Sequence, residues 1–454
     1  MNGLSKPLSL LYAVMLTLTF GIASCAKSGK PSSPDAFVPF DSFLTETRSA
    51  RFEDYRGNAA AQVESAAAFA EMKAHLLQLY DGVHPTNTFM DRNRLVDCVP
   101  LEQQPGLRRP GATRETVQKP PDLKEAASPQ LQKPESDATG RQTESVDITL
   151  KAGVRDPFGH EKYCGEGSFP MQRLTLTELT RFKNLRSFFR KGSLGDNFEL
   201  HPNPSPPRPI PGDDSTHYYA RGVQYVDNFG ADAWLDLWSP TVADTHMSLS
   251  QLWIVGGDGD TKQTAEAGWQ VYSGDGTDAR LFIYYTTKGY TDGCYNTACS
   301  GFVQVANNVY LGSGFDHYSS VGGAQWGFNL QWKRHTDGNW WLFYRGPGNY
   351  IPVGYYPKSL YGRGALADKA TKIAFGGEDT GSAAAKQMGS GEKADGGWQH
   401  AAYQHTIFYI DTNTTSQWAS LAEYESHPDC YTADLHNLYG SWGTYLYFGG
   451  PKCP

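Results

Sequence analysis

The sequence predicts an all-β domain of antiparallel strands preceded by a smaller, partly helical front half, and three observations lead there. Gly 48, Tyr 26, Phe 22 and Trp 11 among 454 residues form a glycine and aromatic load that suits strands and tight turns better than helix bundles. From His217 to the end, short runs such as AWLDLW, SLSQLWIV, GWQVY, RLFIYYTT and TYLYFGG alternate with Gly, Asp and Asn turns. Between the two halves stands His201 to Pro211, where closely spaced prolines exclude helix and central strand and predict an extended boundary. The strand texture fits a sandwich or a barrel. No repeat of fixed period marks a propeller, although strand spacing alone leaves one open. The length exceeds that of one ordinary domain and leaves ample chain for a sizeable core.

The amino terminus has a short polar start with Lys6 and then an apolar run from Leu8 to Ala23, too short to span a membrane and suited to a secretion signal. Export to the outside or to the cell surface is expected. The run ends Ile22-Ala23-Ser24-Cys25, which resembles a bacterial lipobox in which Cys25 becomes the lipidated first residue. Ordinary cleavage nearby is the alternative. A stretch with Ser, Gly and Pro from Ala26 to Pro34 would serve as the tether to the membrane.

From Ala60 to Tyr80, Val63, Ala66, Phe69, Ala70, Met72, Leu76, Leu77 and Tyr80 recur at helical spacing, and an amphipathic helix is expected. Between Pro100 and Ser145 the composition turns to Pro, Gln, Glu, Lys and Arg with few large apolar residues, so a loose linker is expected. A second helix is expected from Thr177, with Glu178 in its first turn, through TELTRFKNLRSFFRK.

The net charge of −8 leaves no basic footprint for nucleic acid. The 7 cysteines are an odd number, and setting Cys25 aside leaves six that could form three bridges in an oxidising compartment. Six cysteines allow 15 connectivities. Proximity favours Cys294 with Cys299 and Cys430 with Cys453, which leaves Cys98 for Cys164. A zinc site is the rival, yet neither CxxC nor HExxH accompanies these cysteines.

Signatures of serine hydrolases, zincins and nucleotide phosphatases are missing: there is no GxSxG, HExxH or GxxxxGK[ST]. The histidines are scattered, and His317 and His335 read as surface or loop residues. Carboxylates remain. In the run Thr264 to Tyr272, period-two alternation puts Glu266, Gly268, Gln270 and Tyr272 on an outward face, opposite inward-facing Ala267, Trp269 and Val271. In Lys372 to Glu378 it groups Ala374, Gly376 and Glu378 against Ile373, Phe375 and Gly377. Each glutamate thus has a glycine beside it, and glycine inside a strand often marks the close approach of another chain. Gly268, Gln270, Tyr272 and Gly376 are the expected substrate contacts. Two ordinary exposed glutamates near bulges would give the same pattern. Two carboxylates across a cleft can do acid and base work when their environments separate their proton affinities, and such a pair favours acidic pH.

The runs SLSQLWIVGG, EAGWQVY, TTKGYTDGCYNTACSGFVQ, IAFGGE, KQMGSG with a nearby AAY, and CY followed by GSWGTYLYFGGPKC closely resemble the catalytic domain of the neprosin family, in the family's order. Two runs in the front half, Leu95 to Val99 and Cys164 to Gly167, resemble its activation peptide more loosely. The resemblance implies a sandwich of two antiparallel sheets with a cleft on a concave face. It further implies a glutamic endopeptidase made as a zymogen, cleaving protein or peptide after proline at acid pH without metal or organic cofactor. The family's two glutamates fall on Glu266 and Glu378.

The layout is then a signal peptide over 1–25, an activation half over 26–200 with its linker at about 100–145, a cleavable linker over 201–216 and a catalytic domain over 217–454. A monomer is expected. One departure is that Glu392 to Trp398 stands where relatives often carry a His-Phe pair; Glu392 and Asp395 read as parts of a turn. A glycoside hydrolase would also suit a carboxylate pair on an aromatic β-sandwich. A carbohydrate-binding module stacking Trp269, Trp340 and Trp341 on its ligand is the non-enzymatic alternative.

Overall fold

The computed structural model describes residues 37–109, 115–131, 142–191, 217–242, 247–272, 278–380, 387–438 and 440–451. The expected signal, Cys25, the Pro-rich boundary and Cys453 lie outside these residues.

The front half begins with α1 (Phe40–Ser49) and α2 (Ala66–Leu79). Ser65 caps α2 by accepting a hydrogen bond from the Ala68 N–H at 3.1 Å, so the helix starts later than the apolar spacing suggests. The strands β1 (Asn87–Asp91) and β2 (Arg94–Pro100) form a hairpin, β3 (Glu144–Ser145) joins a distant sheet, and β4 (Ser168–Gln172) pairs with β2. Phe69, Met72 and Leu76 of α2 pack with Val99 of β2 and with Phe169 and Met171 of β4 in a core of their own. A disulfide joins Cys98 to Cys164 beside it.

The second expected helix is instead two short ones, α3 (Leu176–Leu179) and α4 (Leu185–Phe189). Each has its own capping box, Thr175 with Glu178 and Asn184 with Ser187, and the second box restarts the chain in a new direction.

The second half runs β5 (His217–Asn228), β6 (Gly230–Asp236), β7 (Met247–Gly256), β8 (Gln263–Tyr272), β9 (Arg280–Thr286), β10 (Cys294–Tyr295) and β11 (Val303–Gln304). It continues with β12 (Trp326–Arg334), β13 (Trp340–Arg345), β14 (Ile351–Tyr356), β15 (Ala370–Thr380) and β16 (Ala402–Ile410). The last strands are β17 (Ser416–Trp418), β18 (Ala422–Glu425), β19 (Thr432–His436) and β20 (Tyr445–Gly449). One sheet has the order β10-β9-β8-β7-β15-β5-β18, and the larger one β11-β14-β13-β12-β6-β16-β20-β19, with β3 and β17 attached at its side.

Alternation decides what lies between the sheets. Ala265, Ala267, Trp269 and Val271 of β8 and Ile373 and Phe375 of β15 face Leu235, Leu330, Trp332 and Leu342 of the larger sheet in the main core. Trp269, Trp340 and Trp341 are each fully buried, which removes them as a ligand-stacking platform. Trp269 and Trp340 pack in the main core, where the Trp269 indole donates to the Asp236 carbonyl at 2.7 Å and that of Trp340 to the Leu366 carbonyl at 2.7 Å, whereas Trp341 is covered on the opposite face by Leu107.

The linker expected to be loose differs in its described parts. Leu107 packs with Val303, Trp341, Phe343 and Tyr355 on the outer face of the larger sheet, and Val117 and Leu123 join them. The Ala126 N–H donates to Gln331 at 2.7 Å, and the Gln331 amide donates back at 2.9 Å. A segment too polar to fold alone is ordered here because a formed sheet offers it apolar pockets and hydrogen-bond partners.

Candidate active site

The outer face of the seven-stranded sheet carries the two glutamates on strands separated by β7. Register places Glu266 beside Trp253 and Glu378 beside Leu249, while Gln251 lies between them with Gly268 on one side and Gly376 on the other. The alternation read from the sequence therefore puts both carboxylates on one face. It misjudges their exposure: Glu266 and Glu378 are 0% and 2% exposed.

The cover comes from the front half. Just after α4, Lys191 extends its ammonium into the gap between the two carboxylates, itself 2% exposed. It donates to a Glu266 oxygen, to Gln251 Oε1 at 2.9 Å, and stands 3.4 Å from Glu378 Oε2. The approach is held by Tyr284, whose hydroxyl donates to the Phe189 carbonyl at 3.1 Å, and by His75, whose ring packs edge-on to Phe189 at 5.1 Å.

The two carboxylates have different surroundings. Glu266 accepts from Thr264 Oγ1 at 2.7 Å, Tyr290 OH at 2.9 Å and the Gln251 amide at 3.0 Å, all neutral donors. Tyr290 reaches it from a backbone at φ 60°, a left-handed conformation uncommon for a bulky residue, held by its N–H donating to Thr286 Oγ1 at 2.9 Å. Glu378 accepts from His217 Nδ1 at 2.7 Å and from the Tyr219 hydroxyl at 3.4 Å. Burial by itself pushes the Glu378 carboxyl up. The Lys191 charge, the His217 hydrogen bond and charge, and the Arg221 charge outweigh it and hold the group at about 2.

The other expected contacts divide. Gly268 and Gly376 flank Gln251, but tight strand packing explains them: a Cβ on Gly268 would lie 2.0 Å from the Ser250 carbonyl oxygen, and Gly376 has φ 135°. Gln270 and Tyr272 face the front half, where the Tyr272 ring stacks on Phe182 at 6.0 Å. Cys294 is bonded to Cys299, and Cys430 is also disulfide-bonded. Glu392 forms an exposed ion pair with His400 at 2.9 Å, and a short helical turn at Ala394–Gly396 contains Asp395. His335 lies in the loop between β12 and β13 but is buried there, with its ring 3.6 Å from Asp122. Among the described residues no cluster of three or more His, Cys, Asp or Glu side chains could hold a metal ion.

Sequence reasoning passed over Lys191, His217, Gln251 and Tyr290. Only Gln251 left a signal, as a polar residue inside the apolar run SLSQLWIV. An ammonium placed between two carboxylates and an amide marks a position where a water molecule and a polarised carbonyl could be held instead.

Residues 244–451 match the Neprosin family model. Among solved structures, scytalido-glutamic peptidase with a transition-state analogue inhibitor is 12% identical, with a TM-score of 0.29, covering 52% of this chain and 98% of that one. The same peptidase with a peptide-based transition-state analogue is 11% identical, with a TM-score of 0.27 and coverages of 52% and 98%. SCP-B, a member of the Eqolisin family of peptidases, in complex with the tripeptide Ala-Ile-His, is 10% identical, with a TM-score of 0.27 and coverages of 52% and 99%.

Proposed function

We propose that this chain, which carries a neprosin domain over residues 244–451, is a glutamic endopeptidase in a latent form whose catalytic groups are Glu266 and Glu378. The observation that supports this most is the single ammonium, Lys191, lying between two buried carboxylates on one sheet face. A fixed cation there pairs with both acids and fills the space the reaction needs.

Once Lys191 leaves, the two environments assign the roles. Glu378 keeps His217 and Arg221, which favour its ionised form, so it is the base that takes a proton from water. Glu266 keeps the neutral donors Thr264, Tyr290 and Gln251 and takes the role of the acid that faces the scissile carbonyl. The water oxygen attacks the scissile carbonyl carbon while Glu266 donates a hydrogen bond to the carbonyl oxygen as it gains charge. The tetrahedral intermediate then collapses, the C–N bond breaks, and Glu378 returns its proton to the leaving amine.

Latency and activation follow from the same cation. The depressed Glu378 carboxyl makes its contribution to the closed form fully above its ordinary value of 4.5, and that contribution fades as pH falls towards 2. Acid thus loosens the latch. Cleavage after proline is proposed from the family resemblance, and the prolines of 202–211 offer the enzyme a site for its own release. The apolar amino terminus supports secretion, with Cys25 as the anchoring point for a lipid tether. Mass spectrometry of acidified protein tests self-release: trimming within 202–211 is expected in the parent and not in Glu378→Gln. Equal trimming of both, with no other protease present, refutes it.

A further inference from the structure

Beside the two glutamates lies a narrow pocket of about 20 Å³ whose lining includes three cations, Arg221, Lys262 and Lys372, and the rings of Trp253 and Tyr290. Among the described residues that line it there is no carboxylate. The cations are built in: Arg221, Lys262 and Lys372 are 7%, 8% and 8% exposed. Aromatic rings hold them in place. The Arg221 guanidinium sits 4.0 Å from the centre of the Tyr219 ring and 5.5 Å from that of Trp253. The Lys262 ammonium sits 5.6 Å from the Tyr290 ring and that of Lys372 5.5 Å from the Tyr225 ring.

The pocket is continuous with the proposed catalytic site. Trp253, in its wall, pairs across the sheet with Glu266, and Tyr290 also donates its hydroxyl to Glu266 at 2.9 Å. Arg221 lies beside Gly376 in the register of β5 and β15. A side chain entering here therefore belongs to the molecule lying across the glutamates. Three largely desolvated cations around one space create a field that a neutral or basic group enters at a cost and an anion enters with gain. The arginine fork suits a carboxylate.

We propose that this pocket is a specificity subsite that binds a carboxylate of the peptide substrate within about three residues of the scissile bond, given about 3.3 Å per residue of extended chain. The proposal rests on the peptidase reading above. The carboxylate can come from a Glu or Asp side chain or from the carboxyl end of a short peptide, and both carry the same chemistry.

The test uses the acid-activated full chain and one peptide core containing a single cleavable proline, assayed at about pH 5.5, where a glutamate side chain is mostly ionised. Glu, Gln and Lys are placed in turn at each of three positions on either side of the bond, and each peptide is made as the free acid and as the carboxyl-terminal amide. At one position Glu is expected to exceed Gln in kcat/KM by about tenfold or more, with Lys below both. Loss of the preference on amidation alone assigns the subsite to the chain end, and its survival assigns it to the side chain; either outcome supports the proposal. Lys372→Met is expected to bring the Glu to Gln ratio close to one, and Lys372→Arg to restore it. Ratios within about twofold of one at every position in the parent, for acid and amide alike, overturn the subsite while leaving the peptidase standing. Absence of cleavage of every peptide overturns the peptidase reading and the subsite with it.

Discussion

Lys191→Met removes the ammonium lying between the two glutamates while keeping a long unbranched side chain in its place, and the full-length chain is then expected to cleave peptides without prior trimming. The magnitude can be worked from Glu378. Its step from 4.5 to about 2 corresponds to roughly 3 kcal/mol in favour of the ionised form, at about 1.4 kcal/mol per pH unit. Lys191 is the first of the attractive contributions, ahead of His217 and Arg221. A share of that total on the order of 1 kcal/mol corresponds to a rise of roughly five- to tenfold in the open population. Contact with Glu266 adds to this, so a rise of about tenfold to a hundredfold in peptide turnover is expected. The assay is the initial rate on a fluorogenic proline peptide at about pH 5.5, with mass spectrometry showing that the chain is uncut. The parent should need lower pH, and the variant should not. An uncut variant as latent as the parent, with unchanged circular dichroism, would refute the view that this cation blocks the site.

Two more expectations concern other titrating groups. His217→Ala in the activated protein removes a hydrogen bond and a charge that keep Glu378 ionised, so the acid limb of the kcat/KM profile should move to higher pH; an unmoved limb would take His217 out of the account. At the end of β6, burial pushes the Asp236 carboxyl up to about 8 despite hydrogen bonds from Ser319 and Trp238. Because the folded chain holds that proton more tightly than the unfolded one, stability should fall as pH rises from about 4 to 8 by a few kcal/mol, and Asp236→Asn should flatten the decline in Tm. A parallel decline in parent and variant would assign it to other groups.

Much of the site was legible in the sequence because strand alternation is a local rule. Residues two apart share a face, so Glu266 with Gly268 and Glu378 with Gly376 could be read without knowing which strands are neighbours. What covers them could not. Lys191 meets Glu266 across 75 residues and His217 meets Glu378 across 161, and no local pattern encodes such pairings. The same limit explains the described part of the linker after Pro100, whose order comes from the sheet under it rather than from its own composition. Cap chemistry explains the divided helix before Lys191: Asn184 with Ser187 was a second start signal inside what apolar spacing reads as one element.

In the proposed mechanism Glu266 and Glu378 together hydrolyse a peptide bond. Its most direct test is the kcat/KM of acid-treated parent, Glu266→Gln and Glu378→Gln on one proline-containing peptide, with all three trimmed to the same amino terminus beforehand. Each substitution is nearly isosteric, so the fold should survive, and each should lower the rate by about a thousandfold or more. Retention of a substantial part of the parent's rate by either variant would contradict the assignment.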